Sequence, residues 1–157
     1  KVYKGVYEFT NLVKKDVVMS KELYSIKEIL KDYLLSTSYF GMVHLADNLP
    51  EIEVNQSLFC TAVDNLIRNG LKYNDSDTKF VKVYYEDGFI CIEDNGRGIN
   101  QEEFNYLSNP YTRKEGQKEQ GMGLGLNICN SILEEHKFSI LVEKLENGSK
   151  IKINTIW

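Results

Sequence analysis

The spacing of apolar residues predicts helices and strands that alternate irregularly along the chain. Apolar side chains recur every three or four residues in several segments, which is the period of a helix that buries one face. This period predicts four helices, over residues 25–38, 55–73, 101–107 and 123–136. Apolar or alternating runs predict five strands, over residues 41–45, 80–85, 89–93, 139–143 and 150–156.

Turn residues separate these segments and set the predicted architecture. Asp87-Gly88 and Asn147-Gly148 each lie between two predicted strands and are typical of tight hairpins. Residues 108–122 are polar and have no period, which predicts a mobile loop. We therefore expect an α+β fold: a two-layer sandwich in which helices cover one face of a mixed, mostly antiparallel sheet.

Length and composition indicate a single globular domain. The chain has 157 residues, of which 42% are hydrophobic and 27% charged. We interpret residues 1–20 as a linker or the end of an upstream element, and residues 21–157 as one domain. Because the chain opens at Lys1 rather than at a methionine, we expect it to be a piece of something longer.

Charge and cysteine content exclude several classes of function. A net charge of −4 argues against a protein that follows nucleic-acid phosphates, which would usually be basic. No run approaches the roughly 18–20 apolar residues of a membrane span, so we expect no membrane contact by this chain. Cys60, Cys91 and Cys129 lie in apolar runs without metal-ligand spacing, which predicts reduced core thiols in a cytosolic protein.

The predicted helix over residues 55–73 carries a polar cluster away from its apolar stripe. Four side chains share roughly 100° of helical arc: Asn65, Asn69, Lys72 and Tyr73. An asparagine carbonyl oxygen is a suitable ligand for Mg²⁺, a lysine can meet phosphate charge, and a tyrosine ring can stack on a base. A solvated helix face would have a similar composition, so this cluster alone leaves both interpretations open.

Two glycine-containing segments add further candidate chemistry. In Glu93-Asp94-Asn95-Gly96-Arg97-Gly98-Ile99, the glycines allow close approach of a ligand and the carboxylate can accept a hydrogen bond from an exocyclic amine. An ordinary turn would also fit this segment. Gly121-Met122-Gly123-Leu124-Gly125-Leu126 opens a predicted helix, where exposed backbone N–H groups and the helix dipole suit a polyphosphate.

The order and spacing of the three segments resemble the N, G1 and G2 boxes of the GHKL ATPase superfamily. Within it, residues 25–157 resemble the catalytic and ATP-binding domain of a sensor histidine kinase, which implies the Bergerat fold. The resemblance implies that Asn69 chelates Mg²⁺, that Asn65 helps to hold the metal–phosphate group and that Lys72 contacts phosphate. It also implies that Tyr73 lies against the adenine and that Asp94 accepts the adenine N6 hydrogen bond.

The remaining boxes of the family also have counterparts in this chain. The resemblance implies that Gly96, Gly98 and Ile99 shape the base pocket. It implies a phosphate cradle formed by Gly121, Met122, Gly123, Leu124, Gly125 and Leu126. Phe104 and Tyr111 match the F box and the ATP lid over residues 109–120, and Arg113 matches a basic residue that reaches the terminal phosphate. Lys114 and Lys118 could assist it, and Ser149 stands where the family has a hydroxyl near the base.

Departures from the family pattern affect the lid more than the nucleotide pocket. The lid is short, Gln120 replaces a common glycine, and Lys137 stands where glycine is frequent. Asn65 occupies the position of a glutamate that activates water in the gyrase and MutL relatives, which favours phosphoryl transfer over hydrolysis. We interpret the neighbouring Asp64 as solvated.

The resemblance implies a protein-histidine kinase domain that uses ATP and Mg²⁺ and is incomplete alone. His44 is predicted in a strand, and His136 at a helix end, where the dipole favours a cation. Neither lies in the expected acceptor setting, so the acceptor histidine is expected upstream, with residues 1–20 a linker or the stub of that dimerisation helix. The implied partners are this dimerisation segment and, through it, a response regulator, with the isolated domain monomeric.

The expected location is cytoplasmic, with a parent protein that could be membrane-anchored. Two alternatives stay open at this point. One is a nucleotide-gated regulatory module derived from a degenerate kinase. The other is a GHKL-type serine kinase that acts on a protein partner.

Overall fold

The computed structural model describes residues 19–107 and 120–155, apart from the side chains of residue 107 and residues 120–125. The helices are α1 (Ile26–Leu34), α2 (Gln56–Lys72), α3 (Gln101–Leu107) and α4 (Gln120–Glu135). The strands are β1 (Glu22–Ser25), β2 (Val43–Leu45), β3 (Glu51–Val54), β4 (Val81–Glu86), β5 (Phe89–Asp94), β6 (Ser139–Leu145) and β7 (Gly148–Asn154).

Five of the strands form one mixed sheet in the order β2-β4-β5-β7-β6. The β2–β4 pair is parallel and the other three pairs are antiparallel. The β4–β5 hairpin turns at Asp87 and Gly88, both at positive φ, which matches the right-handed twist of the flanking strands. This arrangement confirms the predicted α+β fold with a mostly antiparallel sheet.

The core lies between the sheet and α2, α4 and α1. On α2 the buried apolar residues follow the helical period: Phe59, Ala62, Val63, Leu66 and Ile67. From the sheet, alternate residues of three strands face this stripe: Val81, Val83, Ile90, Ile92, Ile151 and Ile153. Because α2 packs against both β5 and α4, its polar side chains are held at one end of the sheet.

Side-chain caps fix where the first two helices begin. Asn55 caps α2, since its Oδ1 accepts a hydrogen bond from the Leu58 amide at 3.0 Å. Ser25 caps α1 in the same way through the Glu28 amide at 3.3 Å. α2 ends at Lys72, one residue before the predicted end at Tyr73.

Several boundaries differ from the sequence prediction. α1 ends at Leu34 rather than near Ser38, and a 3-10 turn over Phe40–Met42 replaces the first half of the predicted strand at 41–45. β1 and β3 form an unpredicted two-stranded antiparallel sheet. α4 begins at Gln120, three residues before its predicted start, so the predicted loop over 108–122 ends earlier. The first turns of α4 contain several glycines, and the packing of α4 on α2 outweighs their weak helix propensity. Residues 108–119 lie outside the described residues, as do residues 1–18.

All three cysteines are buried, as predicted for core thiols. Burial raises the pKa of the Cys60 thiol to about 12 and also raises the pKa values of Cys91 and Cys129. At neutral pH these thiols are therefore protonated and behave as small apolar groups.

Candidate functional site

A pocket lies between the C-terminal half of α2, the end of β5 and the loop that follows β5. It encloses about 440 Å³, including space open to solvent. The lining residues come from six parts of the fold: Leu66, Asn69, Gly70, Tyr73, Asp94, Arg97, Gly98, Ile99, Phe104, Leu126, Ser149 and Ile151. Its walls are mostly apolar, with a few polar groups that converge on one space, which is the usual make-up of a small-molecule site.

Asp94 is the buried carboxylate of this pocket. It ends β5 and is only 9% exposed. The Gly96 amide donates a hydrogen bond to its Oδ1 at 2.8 Å. Burial raises the pKa of Asp94, and hydrogen bonds from the backbone at Gly96 and Ser149 partly offset this effect. A buried carboxylate held by backbone groups is a fixed hydrogen-bond acceptor for a ligand.

Two glycines allow the backbone to approach Asp94 closely. A Cβ atom on Gly70 would lie 2.8 Å from the Asp94 Cβ and 2.9 Å from its Oδ2. Gly148 has φ +125°, and a Cβ there would lie 1.8 Å from the Asp94 carbonyl oxygen. Only glycine therefore fits at either position without displacing the carboxylate or its strand.

Tyr73 and Arg97 stack at the mouth of the pocket. The Arg97 amide donates to the Tyr73 carbonyl at 3.0 Å, and its guanidinium lies 5.5 Å from the Tyr73 ring centroid. The Arg97 Nε is 3.5 Å from Asp75 Oδ2. The Tyr73 hydroxyl is buried and has no hydrogen-bond partner within the part of the chain that the structure describes.

Asn95 holds the segment after α2 against the loop after β5. Its Oδ1 accepts from Asn74 Nδ2 at 2.8 Å and from the Phe80 amide at 3.1 Å. Its Nδ2 donates to the Thr78 carbonyl, and its own carbonyl accepts from the Ser76 hydroxyl. These bonds keep the loop that follows Asp94 at a fixed position relative to Tyr73.

Ser149 completes the far side of the pocket. Its hydroxyl accepts a hydrogen bond from the Ile99 amide at 2.8 Å, and its side chain is buried. Gly98, at φ +84°, passes so close to Gly148 that a Cβ would lie 2.6 Å from the Gly148 carbonyl oxygen. The loop after β5 and the start of β7 are therefore packed together.

The structure brings seven of the residues predicted for the site, together with Phe104, to one pocket. These are Asn69, Tyr73, Asp94, Gly98, Ile99, Leu126 and Ser149. Gly96 contacts Asp94 directly. Lys72 is exposed, lies 5.3 Å from the Tyr73 ring centroid and borders a separate open groove with Tyr39.

Several predicted residues lie outside the described residues. Tyr111, Arg113, Lys114 and Lys118 belong to this group. The backbone of the run Gly121, Met122, Gly123, Leu124 and Gly125 forms the first turns of α4, whereas its side chains are not described. Their roles stay predictions.

The interpretation of Asp64 as a solvated residue is wrong. Asp64 is 6% exposed. Its Oδ1 accepts from the Tyr39 hydroxyl at 2.5 Å and its Oδ2 from Arg68 Nε at 3.0 Å. The helical angle placed Asp64 away from the polar cluster, but the segment after α1 folds over this face of α2 and covers it. The burial of Asp64 results from tertiary packing, which cannot be predicted from the helical period.

The interpretation of His136 as a site that favours a cation is also wrong. Its ring is fully buried; Nε2 accepts the Asn55 amide at 3.0 Å, and Nδ1 lies 2.9 Å from the Ile132 carbonyl. Burial lowers the pKa of His136, and the hydrogen bond with the Ile132 carbonyl offsets this effect only in part. His44 is exposed on β2.

Sequence reasoning missed two features of the pocket. No pocket position was predicted for Gly70, because its spacing also suits the apolar stripe of this helix. A glycine inside a helix costs about 1 kcal/mol relative to alanine and could have indicated a close contact. No role was predicted for Arg97, because arginine between glycines is common in ordinary turns.

The comparisons with known proteins agree with this fold. Residues 54–156 match the HATPase_c family model, described as histidine kinase-, DNA gyrase B-, and HSP90-like ATPase. The match covers more than half of the chain, from the start of α2 through β7. This chain therefore belongs to that ATPase family.

Within the family, the similar proteins are sensor histidine kinases. KinB, the alginate biosynthesis sensor protein of Pseudomonas aeruginosa, is 29% identical over 103 residues, which cover 64% of this chain and 17% of that protein. The sensor protein KdpD of Clostridium acetobutylicum is 30% identical over 156 residues, which cover 90% of this chain and 16% of that protein. The chain thus spans less than a fifth of either relative.

Solved structures with the same fold are also histidine kinases. The nucleotide-free catalytic domain of ThkA superposes with a TM-score of 0.66 at 21% identity, covering 86% of this chain and 94% of that one. AdeS of Acinetobacter baumannii gives a TM-score of 0.69 at 18% identity, covering 96% and 74%. At these identities the likeness shows the fold alone. None of the described helices combines the length and apolar character needed to cross a membrane.

Proposed function

We propose that this domain binds ATP with Mg²⁺ and donates the γ-phosphoryl group to a histidine on a separate dimerisation segment of a two-component sensor kinase. The observation that carries the proposal is the meeting of Asn69 and Tyr73 from α2 with the buried Asp94 in one pocket beside α4. The family and its sensor-kinase relatives support the same assignment.

The residues present fit the nucleotide. Asp94 offers a fixed acceptor for an exocyclic amine, and the glycines around it let the neighbouring backbone pack closely against it. Tyr73 supplies a ring surface at the pocket wall. The first turns of α4 would meet the phosphates through backbone N–H groups, since a helix N-terminus favours anions.

Asn69 is the proposed Mg²⁺ ligand. Its side chain lies in the pocket one helical turn before Tyr73, and its carbonyl oxygen is a hard ligand. When bound, Mg²⁺ would neutralise phosphate charge during transfer. Lys72 and Arg113 are proposed to meet the phosphates from outside the pocket.

Two side chains of α2, Asn65 and Asp64, favour phosphoryl transfer over ATP hydrolysis. Asn65 is an amide and cannot act as a general base. Both carboxylate oxygens of Asp64 are engaged by Tyr39 and Arg68, so this group is not placed to activate water. In the proposed reaction the bond between the γ-phosphorus and the bridging oxygen of ADP breaks, and a bond from phosphorus to an imidazole nitrogen forms.

The proposed setting is that of a sensor kinase in the cytoplasm. The partners would be the histidine-containing dimerisation segment and, through it, a response regulator. The isolated domain would be monomeric, and the parent protein could be anchored in a membrane.

Phosphoryl transfer can be tested by joining this domain to the dimerisation segment of its parent kinase and supplying ATP labelled at the γ-phosphate. The proposal predicts acid-labile, base-stable label on that segment, as expected for a phosphorus–nitrogen bond, and its loss in Asn69→Ala. Acid-stable label on a protein serine would favour the serine-kinase alternative. Nucleotide binding without label on any protein would favour the regulatory module.

A further inference from the structure

We propose that Arg97 is a positioning residue that holds the ring of Tyr73 in place as one wall of the nucleotide pocket. The proposal rests on the proposed function, because it concerns how this pocket would receive the base of ATP. Arg97 has no part in the reaction proposed above, although it lines the same pocket as Tyr73 and Asp94.

The ring of Tyr73 has no hydrogen bond to anchor it. Tyr73 directly follows α2, and its side chain is half-buried where it lines the pocket. Its hydroxyl is buried, and within the described residues no group forms a hydrogen bond with it. A buried tyrosine usually fixes its ring through such a bond. The position of this ring therefore depends on what packs against it.

Arg97 provides a contact of this kind. Its guanidinium carbon lies over the Tyr73 ring, 5.5 Å from the centroid, which is within the range at which an aromatic face attracts a cation. The ammonium group of Lys72 lies 5.3 Å from the same centroid, but Lys72 is exposed and borders the separate groove with Tyr39. Of the two cations, Arg97 is the one that lines the pocket.

The backbone around Arg97 is fixed independently of its side chain. The Arg97 amide donates to the Tyr73 carbonyl at 3.0 Å, and a Cβ on Gly96 would lie 2.7 Å from that same oxygen. The side chain has a looser restraint, because Nε lies 3.5 Å from Asp75 Oδ2 and both side chains are more than half exposed. Replacing the Arg97 side chain should therefore leave the loop attached to the end of α2.

The expected effect is on the base and not on the phosphates. Asp94, the proposed acceptor for the amine of the base, lines the pocket together with Tyr73. A ring that is already held in place loses less conformational freedom when a ligand binds against it. Arg97 would therefore strengthen binding of the base whether or not phosphates are attached to it.

A double-mutant cycle on this chain, followed by calorimetric titration of Mg·ATP, tests the inference. Arg97→Met removes the cation but keeps an unbranched apolar side chain, and we expect it to weaken binding about two- to fivefold. The same change should have an effect of less than about 1.5-fold in a Tyr73→Leu background, where no ring is left to hold. It should keep its full effect in a Tyr73→Phe background, because phenylalanine retains the ring and lacks only the hydroxyl.

A second ligand separates an effect on the base from an effect on phosphate. Adenosine has the base and no phosphate, and we expect Arg97→Met to weaken its binding, measured by NMR titration, by the same factor as for Mg·ATP. This comparison decides the question even if Tyr73→Leu does not fold. Lys31→Met removes a positive charge from an exposed position on α1 outside the pocket and should leave both affinities unchanged. Far-UV circular dichroism reports whether each variant is folded.

Three results would overturn the inference while the wild-type chain still binds Mg·ATP. The first is an equal loss from Arg97→Met with and without the Tyr73 ring, which would mean that the arginine contacts the nucleotide directly. The second is a loss for Mg·ATP without a loss for adenosine, which would mean that the arginine acts on the phosphates. The third is no loss at all. Failure of the wild-type chain to bind Mg·ATP would instead overturn the proposed function, and the inference with it.

Discussion

At the scale of single residues, the pocket depends on the close contact between the backbone of Gly70 and the side chain of Asp94. Gly70 faces Asp94 across α2 and β5, with no room for a methyl group between them. A side chain here would push the carboxylate away from the Gly96 amide that holds it. The position of Asp94 is therefore sensitive to a change as small as one carbon atom.

Gly70→Ala is expected to weaken ATP binding at least about tenfold and to lower the free energy of unfolding by about 1–3 kcal/mol, because overpacking displaces Asp94. Calorimetric titration and urea unfolding measure the two effects. Gly41→Ala is the matched control, since a Cβ there meets nothing within 4 Å. Unchanged ATP affinity in a folded Gly70→Ala variant would show that Asp94 does not need its observed position.

Residues that line the pocket could be predicted from the sequence, whereas the residues that hold them in place could not. Asn69 and Asp94 stand at spacings that point to a nucleotide site, and both line the pocket. The burial of Asp64 under Tyr39 joins residues 25 positions apart, which no local pattern contains. The helical spacing of Gly70 is the same for a residue that faces a ligand pocket and for one that faces the core, so it could not distinguish the two.

At the scale of elements, the end of α4 carries a conformational cost. Lys137 has φ +66°, a left-handed conformation that side chains with a Cβ adopt at a cost. The Phe138 amide donates to the Leu133 carbonyl and the Lys137 amide to the Glu134 carbonyl, which together form a Schellman motif. Glycine is the residue that this motif usually places where Lys137 stands.

Lys137→Gly is expected to raise the free energy of unfolding by about 0.5–1 kcal/mol, because it relieves the left-handed strain. Urea unfolding measures this change. Glu134→Gly is the control of opposite sign, since glycine inside a helix should destabilise by about 1 kcal/mol. A less stable Lys137→Gly variant would contradict this account of the helix end.

Element types were easier to predict than element limits. The start of α3 was predicted at Gln101, where the structure has it. The pair β1–β3 was missed because its strands have only four residues each. Such short strands are set by pairing across the fold rather than by their own sequence.

At the scale of the whole molecule, His136 ties the end of α4 to the start of α2. The ring lies between Phe59 and Phe138, with centroid distances of 5.9 and 5.4 Å. Its Nε2 accepts the Asn55 amide, so this nitrogen must be unprotonated for the link to form. The two helices that carry the candidate site are thus joined by a neutral histidine.

Stability should therefore fall in mild acid. Burial lowers the pKa of His136 below its ordinary value of 6.5, so the unfolded chain binds a proton that the folded chain resists. As the pH falls from 6.5 toward the lowered pKa, His136 should cost up to about 1.4 kcal/mol per pH unit. Urea unfolding between pH 5 and pH 7.5 should show this dependence, with a shallower slope in His136→Gln. Equal slopes in the wild-type chain and in His136→Gln would contradict the assignment.

Nucleotide binding by the pocket around Asp94 is the central claim, and calorimetric titration of ATP into the wild-type chain, with and without Mg²⁺, tests it most directly. The account predicts binding that strengthens with Mg²⁺ and weakens at least about tenfold in Asp94→Asn, which loses the buried carboxylate. Glu93→Gln is the matched control, because this neighbouring carboxylate accepts from the Tyr84 hydroxyl instead of lining the pocket. A folded wild-type chain that bound no ATP at about 1 mM would contradict the account.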